Sequence, residues 1–171
     1  MRIDDLELIL NRVESLAKDL DLKYHGCSQM TLKAIQDVLG LGDGDVFKAA
    51  SALAGGVARS GEVCGALLGA LMAVSLVYGR DKLEPITESI KYGKAMEVGA
   101  KVFDEFKEYF GSVRCRDIHI RLFGRYYNLR DPKELSEFVS SGDINKCSDV
   151  VKVAARIAVK HILRSGFGSS K

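Results

Sequence analysis

Glu62-Val63-Cys64-Gly65-Ala66-Leu67-Leu68-Gly69-Ala70-Leu71-Met72-Ala73-Val74-Ser75-Leu76-Val77-Tyr78 decides the fold. The stretch is apolar nearly all round a helical projection and shows no strand-like alternation, which marks a buried helix. Its longest apolar run, Ala66 to Tyr78, is shorter than the roughly 20 residues that span a bilayer, and Gly69 and Ser75 interrupt it. Small residues at 65, 66, 69, 70 and 73 recur at steps of three and four, so other backbones can approach closely along that strip. The expectation is an all-α, single-domain helical bundle of about six to eight helices around a central helix at about 62–78.

Working outward, helical periodicity continues in both directions. Leu6, Ile9, Leu10, Val13, Leu16 and Ala17 give a first helix over about Asp4 to Leu22, so that 1–23 forms an N-terminal helix ahead of a cysteine-bearing region at 27–164. Ser28 reads as the N-cap of a second helix that Gly40 and Gly42 stop. Asp43 or Asp45 caps a short third helix through Ala54. Gly55-Gly56-Val57-Ala58-Arg59-Ser60-Gly61 reads as the most flexible stretch, after which Ser60 or Gly61 opens the central helix. Beyond Gly79, Pro85 or Thr87 opens a long helix to Phe110. A short helix follows over about Cys115 to Phe123, then a Tyr126-Tyr127 turn, a helix from Pro132 to Val139, a loop at 142–145, and a last helix from Lys146, capped by Asn145, to Arg164. Residues 167–171 are expected to fray.

Bulk composition excludes several functions. The 171 residues carry 25 Lys plus Arg against 23 Asp plus Glu, a net charge of +2. That balance lacks the basic face of a nucleic-acid binder. Lys152, Arg156, Lys160 and Arg164 share one helix face and read as a solvated stripe. The first twenty residues are amphipathic and mixed in charge, unlike a signal peptide. The expectation is a cytoplasmic chain that is not an integral membrane protein. A chain this long buries roughly 70% of its unfolded surface and needs no disulfide staple.

The four cysteines therefore need another explanation. Cys27, Cys64, Cys115 and Cys147 each stand where a helix begins. A helix N-terminus carries about half a positive charge and favours thiolate. Arg59, Arg114, Arg116 and Lys146 lie nearby in sequence, which adds to that effect, while Glu62 opposes it at Cys64. The expectation is a shared, electropositive sulfur site. No pair forms a CxxC, so any common site is assembled by packed helices. All four together suit an iron–sulfur cluster or zinc; two pairs suit disulfide exchange. Buried cysteines also serve simply as small hydrophobes. Gly55, Gly56, Arg59 and Glu62 form a candidate ligand-binding loop beside Cys64. His25, two residues before Cys27, reads as an exposed cap residue or a base. His119 and His161 read as partly buried or surface groups on helices, and no two histidines have metal-ligand spacing.

Arg59-Ser60-Gly61-Glu62-Val63-Cys64-Gly65-Ala66-Leu67-Leu68-Gly69-Ala70 resembles a family of redox-active proteins defined by a CGAxxG motif and four characteristic cysteines, the C_GCAxxG_C_C family. The order of features also matches: Cys27-Ser28-Gln29 heading a helix, Gly55-Gly56 and Arg59 in a loop, the motif helix ending at Tyr78-Gly79, Gly111-Ser112-Val113-Arg114-Cys115 after a Phe-rich helix, and Cys147 at the last helix start. The resemblance runs from about Cys27 to Ile162. It implies redox chemistry at the cysteines, association of some members with transporters, and kinship to split-Soret cytochromes, whose cysteines are proposed to hold an iron–sulfur cluster. This chain has no CxxCH, so covalent haem is excluded, and its segment from Ile118 to Ile144 is longer. Two functions stay open: a redox or electron-transfer protein with Cys64 attacking and Cys27 or Cys115 resolving, or with all four as ligands; and a non-enzymatic metal- or ligand-binding accessory of a transporter. Neither choice between enzyme and carrier, nor the redox partner, nor a homodimer is decided at this level.

Overall fold

The structure, a computed structural model, describes residues 2–42 and 44–168. Among them lie eight α-helices: α1 (Ile3–Tyr24), α2 (Cys27–Leu39), α3 (Gly44–Ala49), α4 (Gly65–Tyr78), α5 (Ile90–Phe110), α6 (Cys115–Phe123), α7 (Pro132–Ser140) and α8 (Cys147–Arg164). Short 3-10 turns at Ser51–Leu53 and Asp143–Lys146 join α3 to the next loop and α7 to α8. The only pairing of strand type among these residues is a single antiparallel bridge, Val63 to Arg114. The all-α expectation holds, and no helix among the described residues is long and apolar enough to cross a membrane.

The apolar stripes place the helices. On α1, Leu6, Leu10, Val13 and Ala17 are buried at steps of three and four, and they pack against α2 and α8. On α5 the buried stripe is Val98, Val102 and Phe106. The helix α4 packs against α2, α5 and α8, as its composition requires, and α8 runs beside it at the centre, touching α1, α2, α4 and α5. Gly69 sets the closest approach: a Cβ there would fall 2.2 Å from the carbonyl oxygen of Ser28 on α2. Only glycine lets these two backbones meet. A second, smaller cluster of Tyr127, Leu129 and Phe138 joins α6 and α7 beside the main core.

Several helix starts differ from the sequence reading. Gly26 in a left-handed conformation, not Ser28, precedes α2; Ser28 is buried instead and donates its hydroxyl to the Ala50 carbonyl at 2.8 Å. The helix α3 ends at Ala49 rather than Ala54; Asp45 lies within it, and the alternative cap Asp43 lies outside the described residues. Cys64 itself is the N-cap of α4, in place of Ser60 or Gly61. Ser89, whose hydroxyl accepts from the Tyr92 N–H, starts α5 later than Pro85 or Thr87 would. Lys146, in a helical conformation and without a side-chain cap, precedes α8 where Asn145 was expected. Of the expected frayed end, Phe167 and Gly168 lie in a turn and the last three residues lie outside the described range.

The segment 55–61 is not loose. Gly55, Gly56, Val57, Ala58 and Arg59 all have positive φ, forming a left-handed turn. Backbone N–H groups from 57 to 62 each reach a carbonyl, among them Glu62 to Gly56 at 3.0 Å and Gly61 to Gly55 at 3.1 Å. Non-glycine residues avoid this region for steric reasons, so Val57, Ala58 and Arg59 store backbone strain.

Part of the basic stripe of α8 is tied to neighbouring helices rather than solvated. Arg156 pairs with Glu7 at 2.6 Å and Glu14 at 2.9 Å on α1, Lys160 pairs with Glu105 on α5, and Lys152 with Asp149. Arg156 and Lys160 thus form an ionic seam between α8 and its neighbours, whereas the Lys152 pair lies within α8 and Arg164 is exposed.

Candidate functional site: a four-cysteine cavity

Four helix starts deliver four sulfurs to one place. The turn after α1 carries two residues with positive φ, His25 and Gly26, and projects Cys27 from the first turn of α2. Cys64 caps α4, and its N–H donates to the Val113 carbonyl at 2.8 Å. Cys115 opens α6, and its N–H donates to the Glu62 carbonyl at 2.7 Å. This short antiparallel pairing brings together two cysteines far apart in sequence. The left-handed turn packs flush against them: a Cβ on Gly56 would fall 2.7 Å from the Cβ of Cys115. Cys147 begins α8 immediately after a 3-10 turn.

All four line a single cavity of about 190 Å³, together with Asp21, His25, Gly55, Arg59 and His119. Its far wall is apolar and includes Ile118, Leu129, Leu135, Phe138 and Ile144. That wall comes from the long segment between the third and fourth cysteines, which therefore forms one side of the site. All four cysteines are free thiols.

The electrostatics run opposite to the sequence expectation. Burial pushes the Cys64 thiol up to about 12, with the charge of Cys27 adding to the rise. Burial is also the first cause raising Cys27, Cys115 and Cys147, and charge on neighbouring sulfurs raises Cys115 and Cys147 further. The helix N-terminus does act: N–H groups of Ala66 and Leu67 pull Cys64 back, and those of Gly55, Ser28 and Cys27 pull Cys27 back. Desolvation outweighs them, because the neutral thiol is favoured wherever water is removed. The flanking cations do not help. Arg114 pairs with Glu62 at 3.0 Å, Arg116 lies over the Tyr126 ring, and Lys146 pairs with Asp143. Among the described lining residues Arg59 is the one Lys or Arg side chain.

The candidate loop residues divide. Gly55 and Arg59 line the cavity. Gly56 packs behind Cys115, and Glu62 is exposed and turned to Arg114, outside the lining. His25 is the C-cap of α1, its N–H donating to the Asp21 carbonyl at 3.0 Å, but it is half-buried rather than exposed and lines the cavity with a buried Nδ1 that has no partner.

The sequence reading did not place two further residues at the site. Asp21 continues the buried stripe of α1 one step beyond Ala17 and is only 2% exposed. Burial raises its carboxyl from 3.8 to about 7, and its charge in turn raises Cys27, Cys64 and Cys147. The four-residue step from Ala17 was the available signal. His119 lies four residues after Cys115, on the same face of α6, and its Nε2 stands 3.6 Å from Cys115 Sγ. Burial lowers its ring pKa to about 4.

Among the described residues, no group of three His, Cys, Asp or Glu side chains is arranged to hold a metal ion. One zinc would require each sulfur about 2.3 Å from the same atom. Four buried thiols around a shared cavity can lose their protons to solvent and hold a cationic group as thiolates, or give electrons to an oxidant.

No curated protein and no solved structure matches the chain. Residues 25–161 match the model of a family described as "Putative redox-active protein (C_GCAxxG_C_C)". That span holds all four cysteines and leaves out α1 as far as Tyr24, and with it Asp21. The motif in the family's name places Cys directly before Ala, whereas here Gly65 stands between Cys64 and Ala66. With four-fifths of its length matched and its four cysteines around one cavity, this chain belongs to the C_GCAxxG_C_C redox-active family.

Proposed function

We propose that the chain is a redox protein whose four cysteines act as one centre, holding an iron–sulfur cluster that passes single electrons. The observation that carries this reading is the convergence of Cys27, Cys64, Cys115 and Cys147 on one cavity. Their raised thiol pKa values support it. A buried, protonated thiol is a poor nucleophile for exchange, while a cationic group lifts the penalty on buried thiolates by neutralising them. Four-cysteine ligation is the usual set for such clusters, and a multi-iron group spreads its ligands over several metal atoms where a single zinc cannot. Arg59 would offset residual negative charge at the rim, and the apolar wall from 118–144 would exclude water. The reading places the chain in a reducing compartment, the cytoplasm, where thiols persist.

A second reading has its own support. Of the charges that act on Cys64, that of Cys27 is the largest, and backbone N–H groups point at both sulfurs. This pair could form a dithiol–disulfide couple, losing two electrons and two protons to an external acceptor.

Anaerobic reconstitution with iron and sulfide separates the two. Visible absorbance with bound iron and sulfide, lost in each single Cys→Ser variant, supports the cluster. A colourless chain that gains one disulfide between Cys27 and Cys64 on mild oxidation selects the couple. Loss of absorbance in none of the four variants overturns the cluster reading.

A further inference from the structure

His119 is 3% exposed, and it is enclosed by aromatic rings on several sides. It stacks on Phe138 with ring centroids 5.2 Å apart and an interplanar angle of 27°, and Phe123 meets it edge-on at 4.9 Å. Its Nδ1 is buried with no hydrogen-bond partner, and its Nε2 faces Cys115 Sγ. A buried ring nitrogen without a partner costs stability, so the contact at the other nitrogen is the reason to keep an imidazole in this nest.

The choice of tautomer follows from that asymmetry. An orphaned buried N–H is costlier and rarer than an acceptor left without a donor. The proton therefore belongs on Nε2, where the sulfur can accept it, and Nδ1 keeps a bare lone pair. The alternative, with the thiol donating to Nε2, would strand an N–H at Nδ1 among aromatic carbon.

We propose that His119 is a positioning residue of the sulfur site, a neutral imidazole whose Nε2–H donates to Cys115 Sγ and stabilises negative charge there. Among the described residues no other donor to Cys115 is found: the N–H groups that reach Cys27 and Cys64 have no counterpart at this sulfur. Hydrogen bonds to a ligand sulfur favour the more electron-rich state, which raises a centre's potential. The inference rests on the shared sulfur site, and it holds whether that site binds iron or works as thiols.

The test uses the reduced, metal-free chain, so its failure is distinct from a failure to take up iron and sulfide. Long-range proton–nitrogen NMR of the His119 ring is expected to show the proton on Nε2. Alkylation of Cys115 by iodoacetamide at fixed pH, read by peptide mass spectrometry, is expected to slow about tenfold in His119→Phe, the scale of one lost hydrogen bond to a charged group. His119→Gln, which keeps an N–H, is expected to recover part of the rate. A proton on Nδ1 overturns the proposal, and the NMR result on the unaltered chain stands even if a variant fails to fold. So does a His119→Phe rate equal to that of the unaltered chain, or a His119→Gln rate no better than the Phe variant.

Discussion

A Cβ placed on Gly65 would fall 2.5 Å from Cys27 Sγ and 2.9 Å from the Leu53 carbonyl oxygen. The residue after Cys64 is thus glycine because a sulfur from another helix occupies the space. Gly65→Ala would push α2 and the 51–54 turn away from α4, and overpacking of this kind costs about 1–3 kcal/mol. The expected outcome is a lower Tm together with weaker binding of iron and sulfide, since the shift separates Cys27 from Cys64. Unchanged stability with unchanged loading would show that α2 yields without cost.

Asp21 titrates near neutrality because burial disfavours its charge. Its pKa is about 7 in the folded chain against an ordinary 3.8. Between those values the folded state holds the extra proton, so stability falls as pH rises from about 4 to about 7 and stays reduced above. Asp21→Asn removes the buried charge. It is expected to stabilise the chain by about 2–4 kcal/mol at pH 8 and by little at pH 4. The variant should also speed alkylation of Cys27, Cys64 and Cys147, which the Asp21 charge raises. Parallel pH–stability curves for the two proteins would contradict this account.

The helices were legible because their signals are local. The stripe of α1, the all-apolar α4 and the range Cys115–Phe123 follow from spacing alone. The gathering of the sulfurs was inferred from helix starts and family likeness, but its cause was not legible. Cys64 and Cys115 meet through the Val63–Arg114 bridge, a long-range pairing with no local mark. The direction of the thiol pKa shifts was misread for a related reason. Arg114, Arg116 and Lys146 are neighbours of cysteines in sequence but spend their charge on Glu62, Tyr126 and Asp143 in space. Burial, which dominates, cannot be read from flanking residues. Asp21 was passed over, although the buried spacing of α1 already pointed to it.

Arg156 ties α8 to α1 through Glu7 and Glu14, with Asn11 a further acceptor at 3.3 Å. Its side chain is 30% exposed, so solvent screens the pairs and each is worth less than a buried one. Arg156→Met keeps the aliphatic stem and loses the charge, and the expected cost is about 1–2 kcal/mol for the network. Raising salt should destabilise the unaltered chain more than the variant in denaturant melts. Equal salt dependence would mean that the seam contributes packing only.

Phe138 belongs to two structures at once. It is 4% exposed, it fills the satellite cluster with Tyr127 and Leu129, and it lines the sulfur cavity while stacking on His119. Truncation should therefore act on stability and on access together. Phe138→Ala is expected to cost about 3–4 kcal/mol through lost contacts and the void left behind, and Phe138→Leu less, since more of the volume remains. Water entering through the thinned wall lowers the desolvation penalty that holds the thiols neutral. Alkylation of Cys115 and Cys147 should then rise in both variants, more in the alanine one, at a temperature where each remains folded by circular dichroism. A stability loss without faster labelling would mean that the satellite cluster supports the fold but does not seal the cavity.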